Sequence, residues 1–149
     1  MSERFGTRVS PGIAALLATL LAAPAAAAWT GKTGEASASV EGGGRLRFAC
    51  AAGALRMTLS APGWRFADGE AYTVVADIDG TAFMLPAKAR QDPQTGVAVI
   101  ARDAAPADYA PLIAALKAGR RLVISGPGGR WTLKLTGSGA ALRQLEAGC

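Results

Sequence analysis

Tyr72-Thr-Val-Val-Ala-Asp-Ile-Asp-Gly-Thr-Ala-Phe-Met-Leu-Pro86 decides the architecture. Asp79-Gly80 is a two-residue turn of the kind that needs positive φ at both central positions. It joins two runs rich in β-branched and aromatic residues. Such a hairpin sets its own register: Ile78 falls opposite Thr81, Ala76 opposite Phe83 and Val74 opposite Leu85. Those partners share one face, so turn chemistry and hydrophobic pattern agree. Pro86 cannot donate to a ladder, and the return strand is expected to end there or to mark an edge.

Upstream, residues 45–51 alternate: Leu46, Phe48 and Cys50 on one face, Arg45 and Arg47 on the other. After the Ala52-Gly53 turn, Leu55, Met57 and Leu59 alternate with Arg56 and Thr58, which completes a hairpin with an apolar inside and a basic outside. Pro62-Gly63 and Asp68-Gly69 then break the chain. Residues 29–44 are rich in Gly, Ser, Thr and Ala and end in three glycines. They are expected to form a loose arm with one short strand near Ser37–Glu41.

Downstream, Val97–Ala101 is a short apolar strand. A helix follows, with Asp108 as its expected N-cap, Pro111 in its first turn and Gly119 as its stop. Tyr109, Leu112, Ile113 and Leu116 recur at i, i+3, i+4 and i+7, one stripe for the core. Two strands, 120–125 and 130–136, flank Gly126-Pro127-Gly128-Gly129. Leu122, Ile124, Trp131 and Leu133 take one face; Arg121, Arg130, Thr132 and Lys134 take the other. Ser138 is expected to cap a last short helix that turns Ala141, Leu142 and Leu145 inward. Residues 45–149 therefore read as one mainly β or α+β domain. It would hold an antiparallel sheet or sandwich of about seven strands, one inserted helix and one short C-terminal helix.

The first 28 residues carry Arg4 and Arg8, then an apolar stretch from Ile13 to Ala23, then Pro24 and alanines to Ala28. That is the pattern of a cleavable export signal, with Ala26 and Ala28 at the small-residue positions before the cut. The apolar stretch is too short to span ~30 Å of hydrocarbon, so no stable membrane anchor is expected after cleavage. Removing it leaves 14 basic and 10 acidic residues. In an envelope or extracellular setting that surplus favours anionic surfaces rather than nucleic acid. Cys50 and Cys149, the two cysteines, are expected to bridge on the inner face of the sheet, because export brings the chain to an oxidising compartment.

Much chemistry is excluded. The chain has no histidine, which removes Ser-His-Asp and Cys-His nucleophile systems and histidine metal sites. Asp77, Asp79 and Gly80 resemble the start of a calcium loop. Its twelfth position is Lys88, where a bidentate glutamate is needed, so no metal or other cofactor is expected. Asp68, Glu70 and Asp77 could supply a glycosidase-type carboxylate pair, although their spacing does not select them over turn and surface acids. Trp64 and Phe66 are core residues or a partner-facing aromatic pair. The remaining candidate is a basic binding face made of Arg45, Arg47, Arg56, Arg121, Arg130 and Lys134.

Two stretches carry a resemblance: Ser60 to Gly80, with its Pro-Gly turn and a strand ending in Asp-Gly, and Leu112 to Leu142, with Leu116-Lys-Ala-Gly119 and a final strand running into Gly137-Ser-Gly-Ala-Ala-Leu142. Together they resemble the invasion-associated locus B family of exported proteobacterial proteins. The chain departs from it in lacking additional mid-chain cysteines and the aromatic usual after the final-strand glycine. The resemblance implies a periplasmic or surface protein linked to host-cell entry and brings no catalytic residues. The expected function is therefore a periplasmic or secreted, non-enzymatic binding or interaction protein. Its partner would be an envelope or host protein or an anionic envelope polymer. The alternatives are an inhibitor of a lysozyme-like enzyme and a carboxylate-based glycan hydrolase.

Overall fold

The computed structural model describes residues 28–149. The export signal read over residues 1–28 lies, Ala28 excepted, outside them. The element order is β1 (Trp29–Lys32), β2 (Glu35–Val40), β3 (Gly44–Ala51), β4 (Ala54–Ser60), β5 (Ala71–Ile78), β6 (Thr81–Gln91), β7 (Ala98–Ala104), α1 (Pro106–Ala118), β8 (Arg121–Gly126), β9 (Gly129–Lys134) and α2 (Ser138–Ala147). The fold is mainly β. All nine strands form one sheet in the order β1-β2-β3-β4-β7-β6-β5-β8-β9, with every neighbour antiparallel.

The hairpin at Asp79-Gly80 has the register its turn dictates: Val74 opposite Leu85, Ala76 opposite Phe83, Ile78 opposite Thr81. Asp79 takes φ 49° and Gly80 φ 95°, the left-handed pair this turn requires. The sheet curls on itself. Leu46, Phe48 and Met57 from one half meet Ala76, Leu85, Leu122 and Ile124 from the other, and Leu112 and Leu116 of α1 fill the space between. The first and last strands approach closely enough for the Trp29 indole N–H to donate to the Lys134 carbonyl at 3.1 Å.

Several expectations are corrected. Residues 29–44 are not a loose arm: residues 29–40 form the hairpin β1–β2, which brings the strand count to nine, and a 3-10 turn at Glu41–Gly43 leads into β3. Ala36, Ala38 and Val40 point inward between serines, and alanine against serine is too weak a contrast to announce a strand. The return strand does not end at Pro86 but runs to Gln91. β7 pairs with β6 only from Lys88 to Gln91, so the missing N–H of Pro86 falls where there is no neighbour to receive it. α1 begins at Pro106, whose fixed φ suits the first helical position. Ala105 is the cap, Asp108 sits within the first turn, and Pro111 lies inside the helix. Ser138 does not cap α2, since Gly137 at φ 87° does that. The Ser138 hydroxyl is buried and lies 2.7 Å from the Leu116 carbonyl and 2.6 Å from the Leu135 carbonyl, either of which can take its proton; it ties the two helices together. Cys50 and Cys149 are bonded, with Cα atoms 5.4 Å apart. The bridge lies at the rim rather than in the core: Cys50 is half-buried and Cys149 exposed. Among the described residues no helix is long and apolar enough to cross a membrane.

Candidate functional site

The outer face of the sheet can be laid out in rows across the strands. One row runs Ser39, Arg45, Ser60, Val99, Arg90. The next runs Thr30, Ser37, Arg47, Thr58, Ala101, Lys88. The third runs Lys32, Glu35, Ala49, Arg56, Asp103. In the first two rows small residues thus occupy the middle, with long cations on both sides, whereas the Arg56–Asp103 pair closes the third. From Arg45 on β3 to Arg90 on β6 is three strand spacings, roughly 14 Å. The arrangement is a shallow basic trough floored by serine, threonine, alanine and valine.

Two of the hollows in this trough share Arg90 and Ala101. The smaller, about 280 Å³, lies beside the loop after β6. That loop is held by Asp92, whose Oδ1 accepts the backbone N–H of Gln94 at 2.8 Å and of Thr95 at 3.0 Å. These bonds hold the Asp92 carboxyl below the usual carboxylate range. The larger, about 520 Å³, is a cleft where β6 and β7 part. Outer-face residues Thr73, Pro86, Lys88 and Arg90 line it, and so do Tyr72 and Arg102, which root on the opposite side of their strands. Arg102 reaches through the gap. Its Nη1 donates to the Pro86 carbonyl at 3.2 Å and its guanidinium lies 5.5 Å from the centre of the Tyr109 ring. Tyr109 donates in turn to the Arg102 carbonyl at 2.9 Å, and burial pushes its hydroxyl up to about 12.

Of the cations on this face, some are neutralised. Arg47 bonds Glu35 at 2.6 Å and Lys32 approaches the same carboxylate at 3.4 Å. Arg56 grips Asp103 with two bonds, 2.6 and 3.0 Å. Arg45, Lys88, Arg90 and Arg102 have no ion-pair partner among the described residues. The count over residues 28–149 is one-sided. Lys32, Arg45, Arg47 and Arg56 with Lys88, Arg90 and Arg102 face three carboxylates, Glu35, Asp92 and Asp103. Elsewhere seven cations meet seven carboxylates. The residues that line this face therefore carry about +4 in side-chain charge, with Glu70 at its edge beside the Tyr72 hydroxyl.

The six arginines and lysines picked out by sequence are not one face. Arg45, Arg47 and Arg56 belong to the trough. Arg121, Arg130 and Lys134 lie on the outer side of β8 and β9. The inner sides of both hairpins look into one core, so their outer sides look away from each other. Lys88, Arg90 and Arg102 were missed. The alternation Leu85, Ala87, Ala89 against Lys88 and Arg90 is present in the sequence, but Pro86 hides it.

The other candidates take structural posts. Asp77 Oδ1 accepts the Gly80 N–H at 2.9 Å, and Asp79 accepts the N–H groups of Arg120 and Arg121 at 2.8 and 3.1 Å. Asp68 and Glu70 precede β5 whereas Asp77 is near its far end, a separation of roughly 20 Å along the strand, so the three do not form a carboxylate pair. Trp64 and Phe66 join a chain of half-buried rings packed on the core. Centroid spacings are 5.5 Å from Trp131 to Trp64, 5.2 Å to Phe66 and 5.4 Å on to Tyr72. The last ring of that chain is a wall of the cleft. No group of His, Cys, Asp or Glu able to hold a metal occurs among the described residues.

No family model, no curated protein and no solved structure matches the chain. The resemblance to the invasion-associated locus B family rests on the quoted residues alone.

Proposed function

We propose that this chain is an exported, non-enzymatic binding protein whose basic sheet face docks an anionic polymer of the cell envelope. The observation that carries the reading is the concentration of positive charge on one side of the sheet, seven cations against three carboxylates among the residues that line it. A flat trough with cations along both walls suits an extended polyanion better than a compact ligand. Four of its cations carry no carboxylate partner among the described residues and need not break an internal pair to bind. The leader-like residues 1–28, the Cys50–Cys149 bridge and the resemblance to an exported family support a periplasmic or secreted location. A non-enzymatic role is supported by the absence of histidine and by the structural bonds that occupy Asp77, Asp79, Asp92 and Asp103.

Binding of purified lipopolysaccharide, measured against salt, tests this. Each cation near an anionic surface contributes about 1 kcal/mol, so reversing Arg45, Lys88 and Arg90 to glutamate weakens binding roughly 100-fold or more. Reversing Arg121, Arg130 and Lys134 leaves it near the parent value. Equal losses in both triple variants would show undirected charge attraction, and no binding at low salt would end the reading. Capture of an acidic envelope or host protein through the same trough, with lipopolysaccharide ignored, would replace the polymer by a protein partner.

A further inference from the structure

We propose that the cleft between β6 and β7 is a specific site for a phosphorylated sugar. The inference rests on the anionic-ligand reading above and names the group that the larger hollow of the trough receives. Three cations line the cleft, Lys88, Arg90 and Arg102, and none has an ion-pair partner among the described residues. Two carboxylates stand by it: Asp103 is occupied by Arg56, and Glu70 lies beside the Tyr72 hydroxyl. A single carboxylate ligand would leave two of those charges uncompensated, whereas a phosphate monoester carries close to two negative charges and three acceptor oxygens.

Arg102 is placed for such a group. The Pro86 carbonyl and the Tyr109 ring hold its guanidinium in position, and its Nε is buried without a hydrogen-bond partner among the described residues. A guanidinium fixed in a gap without a carboxylate partner can donate its remaining Nη protons to phosphate oxygens. The cleft, about 520 Å³, exceeds what phosphate alone needs and falls in the range of small-ligand sites. Tyr72 and Pro86 supply an apolar wall on which a sugar ring can rest, and the chain of rings from Trp131 through Trp64 and Phe66 fixes Tyr72. The gap itself follows from the fold: β7 leaves β6 after Ala101 to stay with β4, and Pro86 offers no N–H to hold it.

Calorimetric titration of the oxidised protein with glucose 1-phosphate, inorganic phosphate and glucose is the test. Glucose 1-phosphate binds more tightly than phosphate, and glucose alone does not bind. Lys88→Ala, Arg90→Gln and Arg102→Lys each weaken glucose 1-phosphate roughly tenfold or more. Arg121→Ala, on the outer side of β8 and away from the trough, leaves it unchanged. Because Arg102 packs on Tyr109, the melting curve of its variant is compared with the parent's, and the two surface variants carry the test if it unfolds. Vesicles bearing a phosphorylated glycolipid separate the sources: competition with glucose 1-phosphate identifies a lipid headgroup, and its absence a free sugar phosphate; either supports the site. No binding of glucose 1-phosphate, or equal weakening by Arg121→Ala, overturns the cleft. Lipopolysaccharide binding without sugar-phosphate binding sinks this inference and leaves the polymer reading standing; the converse sinks the polymer reading and leaves the cleft.

Discussion

Glu35 shows how single residues hold this molecule in shape. Its carboxylate takes a 2.6 Å bond from Arg47 and lies 3.4 Å from Lys32, joining β1, β2 and β3 on the outer face. The Arg47 bond is the main reason its pKa lies below the ordinary 4.5; partial burial works against it. A depressed carboxyl pKa contributes stability that is present above the unfolded value and lost as pH falls through the folded one. Glu35→Gln should therefore flatten the loss of stability as pH falls below about 5, seen as a urea midpoint that responds less to acid. Both partners are partly exposed, so the pair contributes only about 0.2–1 kcal/mol at neutral pH. An acid limb as steep as the parent's would show that the bond does not persist in solution. Gly31 acts by what it lacks. A Cβ there would stand 2.6 Å from the Ala141 Cα and 2.7 Å from its carbonyl oxygen, both backbone atoms that cannot swing away. Gly31→Ala forces β1 and α2 apart and is expected to cost about 1–3 kcal/mol, read as a lowered urea midpoint at unchanged slope. A midpoint equal to the parent's would mean that β1 is not docked on α2.

Elements were legible where two signals agreed. The Asp79-Gly80 hairpin, the two hairpins that carry the basic residues and the stripe of α1 each joined a turn or stop signal to a clean period, and each formed as the pattern dictates. β1 and β2 were hidden because their inward residues are chiefly alanines between serines, with Trp29 the one strong marker. The second half of β6 was hidden by Pro86. A proline is compatible with an interior strand once the neighbour has already left, and no local pattern records that departure. The site inherited both errors, since Lys88 and Arg90 stand on the hidden half-strand and Lys32 on the hidden hairpin. The bridge is the element-scale tie. Cys149 follows α2 and Cys50 ends the inward row of β3, closing a separation of 99 residues. Cys149→Ser should cost about 2–5 kcal/mol in a reversible urea melt. Anion binding at Lys88 and Arg90 should survive wherever the variant stays folded, because those residues stand on β6. Stability equal to the parent's would show that α2 docks by its apolar face alone.

At the scale of the whole molecule, function depends on which way the charge points. A sheet that curls over one core has a convex outer face, and cations on different strands of that face can point in opposite directions. The sequence lists sixteen cations but not their directions. Four lysines within residues 28–149 report on this: Lys32 and Lys88 on the trough, Lys117 paired with Glu146 at 2.9 Å between the helices, and Lys134 on β9. All four are exposed, so all react with an amine-acetylating reagent in the free protein. Saturating lipopolysaccharide should protect Lys32 and Lys88 and leave Lys117 and Lys134 as reactive as before, as read residue by residue in the mass spectrum. Protection of Lys88 without Lys32 would confine the contact to the cleft. Protection of Lys134 would mean that the polymer engages the β8–β9 side as well, and the one-sided reading would fail. Because exposed charges separated by more than about 8 Å are largely screened at physiological salt, protection should weaken as salt rises while the labelling of Lys117 stays flat.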